Sequence, residues 1–148
     1  MQTGFDTSHH VLPICTKVLQ QAIIDGAFIA IAQYYRFGKT HPELTRLLKG
    51  VSHTQYGFCL ANKNDKESSI TRLLYDRNIR VSVVYVCGVN TGACVRSTVD
   101  GLACNHPEKT IIVLSDVCSD VDISWHQYAL SQMTKNYHNV ILDKYART

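Results

Sequence analysis

The chain has 148 residues, 45% hydrophobic and 18% charged, which is enough for one domain with its own core and short for two. Its 15 Lys+Arg against 12 Asp+Glu give a formal net charge of +3, and the basic residues are scattered, so nucleic acid is not an expected partner. This composition excludes a disordered tail or a coiled coil, and no apolar run approaches the roughly 18 residues of a membrane span.

Read from the N-terminus, MQTGFDTSHH has neither a basic n-region nor an apolar h-region, so no secretory signal is expected and the location is read as cytoplasmic. A first helix is marked by Ile14, Val18, Gln21, Ala22 and Asp25, with an apolar stripe through Val18, Leu19, Ala22 and Ile23 and Gly26 as its stop. Residues 27–34 read as a buried strand. Residues 36–67, rich in Gly, Lys, Asn and His, read as a long connection, and loops of that length in small domains are usually functional or poorly ordered. A helix over 69–75 carries Ile70, Leu73 and Leu74 at i, i+3, i+4 spacing, with Asn78 as its end. Further strands are expected at 81–89, 110–116 and 139–142, and further helices at 93–102 and 125–134. Strands at 81–89 and 110–116 are near-continuous apolar runs, as when helices cover both faces of a parallel sheet. The alternation predicts a single α/β domain over 1–148, three layers α/β/α with one parallel sheet. A doubly wound domain normally begins with a strand, yet this chain goes straight to a helix.

Six cysteines (Cys15, Cys59, Cys87, Cys94, Cys104, Cys118) are widely spaced with no C-x-x-C pair, and without an export signal they read as reduced thiols, mostly apolar fillers. Cys94 is the exception. Val84-Tyr-Val-Cys-Gly-Val-Asn-Thr-Gly-Ala-Cys94 runs from an apolar strand through a turn into a helix. Ligands of open α/β sheets bind at the carboxyl ends of strands, where this turn must lie. In the first helical turn, unpaired N–H groups and the positive helix end favour a reactive thiolate and could hold the oxyanion formed when sulfur attacks a carbonyl. The competing readings are a merely packed cysteine and a phosphate-binding turn. The second is weak, because Gly88-Val-Asn-Thr-Gly92 matches neither G-x-G-x-x-G nor a G-K-S/T ending.

Val86-Cys-Gly-Val-Asn-Thr-Gly-Ala-Cys94-Val-Arg-Ser-Thr98 closely resembles the nucleophile turn of the isochorismatase-like cysteine hydrolases, G-(V/L)-A-T-(D/E)-x-C-V-x-x-T. Within that superfamily residues 49–122 look most like a nicotinamidase: Lys49-Gly50 with Gln55-Tyr-Gly-Phe58 is similar to K-G…S-Y-S-x-F, and Asp116-Val-Cys-Ser-Asp-Val-Asp122 is similar to D-x-C-R-G-V-D. The resemblance implies an amide hydrolase acting on nicotinamide or a similar small carboxamide through an Asp–Lys–Cys triad and a Cys thioester. It places Cys94 as nucleophile and Lys49 as the triad lysine. It puts the oxyanion-hole amides at Asn90 and Cys94, with a cis peptide at Val89–Asn90. Tyr56 and Phe5 are substrate-binding candidates, and Tyr56 with Phe58 reads equally as a flat aromatic pocket suited to a pyridine ring or as core.

The chain departs from that pattern in three places. Met1-Gln2-Thr3-Gly4-Phe5 looks like the family's opening D-x-Q-x-x-F starting one residue after the aspartate, so the first strand is expected to be missing; Asp6 enters the triad only under a shifted alignment. Tyr34-Tyr35-Arg36 stands where the family's zinc-binding D-x-H would be, so the zinc site is read as lost and no cofactor is expected; His9, His10, His41 and His53 qualify as ligands by composition alone. Gly92 replaces the acidic residue of the family turn. Residues 33–44 also resemble a metal-free branch with E-Q-Y-P-K-x-L-G-x-T-x-P-E-L, in which the family lysine falls at Gln55 and the site is disabled. Trp125 and His126 read as a helix-start contact, and Asp116 as a strand end capping the next segment. A small carboxamide is the expected partner, with no membrane and with homo-oligomerisation left open. The alternative is a catalytically impaired domain of the same fold with a binding role.

Overall fold

The apolar runs become parallel strands with helices packed on both sides. The computed structural model describes residues 8–34, 39–61 and 66–145, side chains at 8, 34, 58–61 and 66–68 excepted. In chain order the elements are α1 (Ser8–Ile24), β1 (Ile29–Tyr34), α2 (Pro42–Leu48), β2 (Tyr56–Ala61), α3 (Lys66–Asp76), β3 (Val83–Val89), one turn of π-helix (Thr91–Val95), α4 (Arg96–Asn105), β4 (Thr110–Ser119), α5 (Ile123–Asn136) and β5 (Val140–Asp143).

Strand β4 shows why the architecture has three layers. Its side chains alternate: Ile111 and Val113 enter a cluster with Val99 and Leu102 of α4, Ala129 and Met133 of α5, and Val140 of β5. Ile112 and Leu114 face the other way, against Leu12 and Cys15 of α1 and Leu44 of α2. Period-2 alternation with both faces apolar is what a strand between two helical layers requires.

Four expectations need correction. The strands do not form one sheet: β1 pairs with β2, and β3, β4 and β5 pair in that order, all in parallel, as two separate ladders. No strand among the described residues bridges β1 to β3. Helix α1 begins at Ser8, ahead of Ile14, and runs through Pro13, which has no N–H to give the carbonyl four residues back. Its buried face is therefore Val11, Leu12 and Cys15, with Val18, Leu19 and Ala22 half-buried behind them. The long connection contains α2 and β2. Pro42 starts α2, the ring of His41 accepts from the Glu43 amide at 3.4 Å, and Leu44 and Leu48 are buried one turn apart. Asp116 lies within β4, not at its end, and accepts from the Tyr145 amide at 2.9 Å, which ties the chain after β5 to β4. The helix stops fall where expected: Gly26 (φ 67°) follows α1 and Asn78 (φ 53°) follows α3.

The two ladders are unequally buried. Ile111, Val113 and Val117 of β4 are inaccessible, whereas Ala30 and Ala32 of β1 are exposed. Local opening needs less energy where fewer apolar contacts must be broken. Amide hydrogen exchange is therefore expected to run at least roughly tenfold faster across β1 and β2 than across residues 111–117; equal protection in both ladders would show that they open as one unit.

Candidate active site

The chain leaves β3 through Asn90, which adopts a left-handed conformation (φ 64°, ψ 60°) and turns the backbone into the π-helical turn carrying Cys94. A π-turn of this kind is uncommon and is often found at functional sites. The amides of Ala93, Cys94 and Val95 converge on the Asn90 carbonyl at 3.1, 2.8 and 3.3 Å. The Thr98 hydroxyl donates to the Cys94 carbonyl at 3.0 Å, fixing the first turn of α4 below it. Val89, Thr91 and Val95 are buried and anchor the turn, while Cys94 is half-buried at its surface. The expected cis peptide is absent: no described bond is cis, and Val89–Asn90 is trans, the left-handed Asn90 supplying the change of direction instead. The Cys94 amide, placed by resemblance in the oxyanion hole, is engaged with Asn90 here, so an oxyanion would have to share it.

Residues beyond the turn hold it from outside. The Asp120 carboxylate, just past β4, accepts from the Gly92 amide at 2.7 Å through one oxygen and from its own neighbour Val121 at 2.8 Å through the other. His126 Nδ1 hydrogen-bonds the buried Thr91 hydroxyl at 2.9 Å. The indole of Trp125 lies against Gly92, where a Cβ would overlap its Nε1 and Cδ1 atoms. That contact is why glycine, with no side chain, occupies this position. Trp125 stacks on Tyr128 with centroids 5.3 Å apart, and both rings are about half exposed. Asp122 caps α5 by accepting from the Ser124 and Trp125 amides at 2.8 and 3.1 Å, which sets where Trp125 and His126 begin. These two residues do start a helix, as expected, and they also wall the Cys94 turn. Asp120 was not singled out in the sequence at all.

Burial holds His126 below its ordinary pKa of 6.5, with the nearby Asp120 charge opposing. The folded state thus favours the neutral ring. As pH falls through 6.5 the unfolded chain takes up the proton first, so this contribution to stability declines toward acid. The melting temperature of the wild type is expected to fall more between pH 7.5 and 5.5 than that of His126→Gln. Parallel curves would mean that the ring is as well solvated folded as unfolded.

Lys49 and Tyr56 sit elsewhere. Lys49 caps the end of α2 and Tyr56 begins β2; together with Ile31, Thr40, Thr45 and Leu48 they line a cavity of about 180 Å³ that does not include Cys94. They thus stand at the amino end of β2, whereas Cys94 follows the carboxyl end of β3. Gln55, the alternative lysine position, donates from Nε2 to the Ile23 carbonyl at 2.9 Å and ties α1 to the β1–β2 ladder. The structure brings together Asn90 and Cys94, and separately Lys49 and Tyr56. Phe5 and Asp6 lie outside the described residues, as does the side chain of Phe58.

Among the described residues no three His, Cys, Asp or Glu side chains are grouped to hold a metal, and Tyr35 and Arg36, at the family's ligand positions, lie outside them. His41 Nδ1 is spent on the Glu43 amide and the His53 ring leans on Tyr56, so two of the composition candidates have local roles. No described helix is long and apolar enough to cross a membrane.

The isochorismatase domain profile matches residues 40–144. No curated protein matches by sequence. Among solved structures, the nicotinamidase SaPncA from Staphylococcus aureus superposes with a TM-score of 0.79 at 13% identity, over 94% of this chain and 85% of its own. The MAR1 ribonuclease from Caenorhabditis elegans gives 0.75 at 19% identity, over 97% and 72%. The ycaC gene product of Escherichia coli, an octameric hydrolase of unknown specificity, gives 0.76 at 14% identity, over 98% and 72%. At these identities the superpositions establish a shared isochorismatase-like fold, and proteins of that fold carry more than one activity.

Proposed function

The chain belongs to the isochorismatase domain family, and from that premise we propose that it is a cysteine-dependent amide hydrolase of nicotinamidase type. The substrate is nicotinamide or a similar small carboxamide. The observation that carries this reading is Cys94 in a braced strand–turn–helix at the carboxyl end of β3. In the reaction the sulfur forms a bond to the carboxamide carbon, and the tetrahedral oxyanion collapses with loss of the nitrogen, protonated, as ammonia. Water then cleaves the thioester to the acid and regenerates the thiol. The titratable groups that the described structure brings to the turn are Asp120 and His126, and the stacked Trp125–Tyr128 pair offers a flat surface beside it suited to a planar ring.

The reaction is proposed to need no metal, because the family's ligand positions read Tyr34-Tyr35-Arg36. A reducing, cytoplasmic setting is supported by the five described free cysteines. Self-association is proposed on the strength of the octameric neighbour, and nucleic acid is not proposed as a partner.

Ammonia release from nicotinamide, benzamide and pyrazinamide tests the function. Release from at least one by wild-type protein is expected, and rates at the solvent background for all three would reject it. The alternative, an impaired domain that binds without turnover, is favoured by a single observation: the Lys49 cavity stands apart from Cys94.

A further inference from the structure

We propose that Asp120 is a positioning residue for Cys94, its carboxylate pinning the backbone of the nucleophile turn from the end of β4. The inference rests on Cys94 being the reactive group of the proposed function. The first N–H groups of a helix have no partner within it. In this turn the amides of residues 93–95 are gathered onto the Asn90 carbonyl, and Gly92, the next amide back, reaches out of the turn to Asp120 at 2.7 Å. The carboxylate is itself fixed, because its second oxygen accepts from Val121. Gly92 has no side chain with which to anchor the turn, and Trp125 fills the space one would need. Two residues before the sulfur, the path of the backbone is therefore set by a group 28 positions away. A carboxylate at a helix start also stabilises the helix through its charge. Position and charge make different predictions.

The test measures alkylation of Cys94 by iodoacetamide in the full chain from pH 6 to 9, quantified by fragmentation of the tryptic peptide 81–96. Cys104, an exposed thiol on α4, is the internal reference. Asp120→Ala is expected to slow Cys94 alkylation about tenfold at pH 7, the effect of losing one charge-assisted hydrogen bond, and to displace its pH profile while Cys104 is unchanged. Asp120→Asn keeps an acceptor oxygen at the same reach and should restore most of the rate. Asp120→Glu keeps the charge but moves the oxygens by one methylene, and should be slowed like the alanine variant. The proposal is overturned if Asp120→Ala reacts at Cys94 as fast as wild type or faster, if Asn and Ala are equally slowed, or if Glu matches wild type. Equal changes at Cys94 and Cys104 would mean general loosening and also overturn it. If the alanine variant does not fold, the Asn and Glu variants decide the same question. Alkylation needs no turnover, so failure to hydrolyse any carboxamide would count against the proposed function and leave this result standing.

Discussion

Cys94→Ala is expected to lower carboxamide hydrolysis by at least roughly 10³-fold, to the solvent background, while leaving the protein folded. The covalent route has no first step without the sulfur, and what remains of the turn can only bind. Cys94 is half-buried and its amide and carbonyl bonds belong to the backbone, so truncating the side chain removes few contacts and should cost under about 1 kcal/mol of stability. Cys94→Ser should be nearly as inactive, because a hydroxyl is a weak nucleophile unless a base is held against it. Intact-mass measurement at short reaction times should show an acyl adduct on the wild type and none on the alanine variant. Retention of more than a third of the wild-type rate by Cys94→Ala would end the thioester mechanism.

Ile111→Ala is expected to be the most damaging truncation outside the turn, at about 2–5 kcal/mol. Ile111 is inaccessible, paired with Val84 on one side and Val140 on the other, and covered by α4 and α5. Its methyl groups fill the layer that locks the three-stranded ladder to its helices, and neighbours held from several elements cannot collapse far into the void. Against a typical domain stability of about 5–15 kcal/mol, that loss is a large fraction. Urea unfolding followed by circular dichroism measures it. Ile141→Ala on β5, half exposed, is the control and should cost under about 1 kcal/mol. Equal losses at the two positions would contradict the layering.

The strands that could be read from the sequence were those with a clear apolar run: β1, β3, β4 and β5 each fall within a few residues of their expected limits. Strand β2 was not read, because Tyr56-Gly-Phe-Cys-Leu-Ala61 lies inside a stretch rich in Gly, Lys, Asn and His. Gly57 is there for packing: a Cβ would come within 2.5 Å of Leu73 Cδ1 on α3. Helix α2 was lost for a different reason. Seven residues give too few turns for periodicity to register, although proline at its start and leucines four apart were visible. At the site, Cys94 could be found because strand, turn and helix are contiguous in sequence. Asp120 and His126 could not be found in the same way, since they reach the turn only after β4 and α5 are in place. A clue was nevertheless present. The acidic residue missing at Gly92 has a counterpart at Asp120, where the resembling motif carries glycine. Lys49 was placed by its resemblance to K-G…S-Y-S-x-F; it ends a short helix and lines a cavity that does not include Cys94.

Trp125 is the chain's single tryptophan, and its indole rests on the turn that holds Cys94. Tryptophan emission therefore comes from one place and reports on that place. A planar carboxamide settling beside the sulfur, an acyl group carried on it, or a slackening of the Asp120 contact would each change the polarity around a half-exposed ring. The optical signal usually taken as a measure of global unfolding is, in this protein, a local probe of whether the Cys94 turn is held and whether a ligand rests against it.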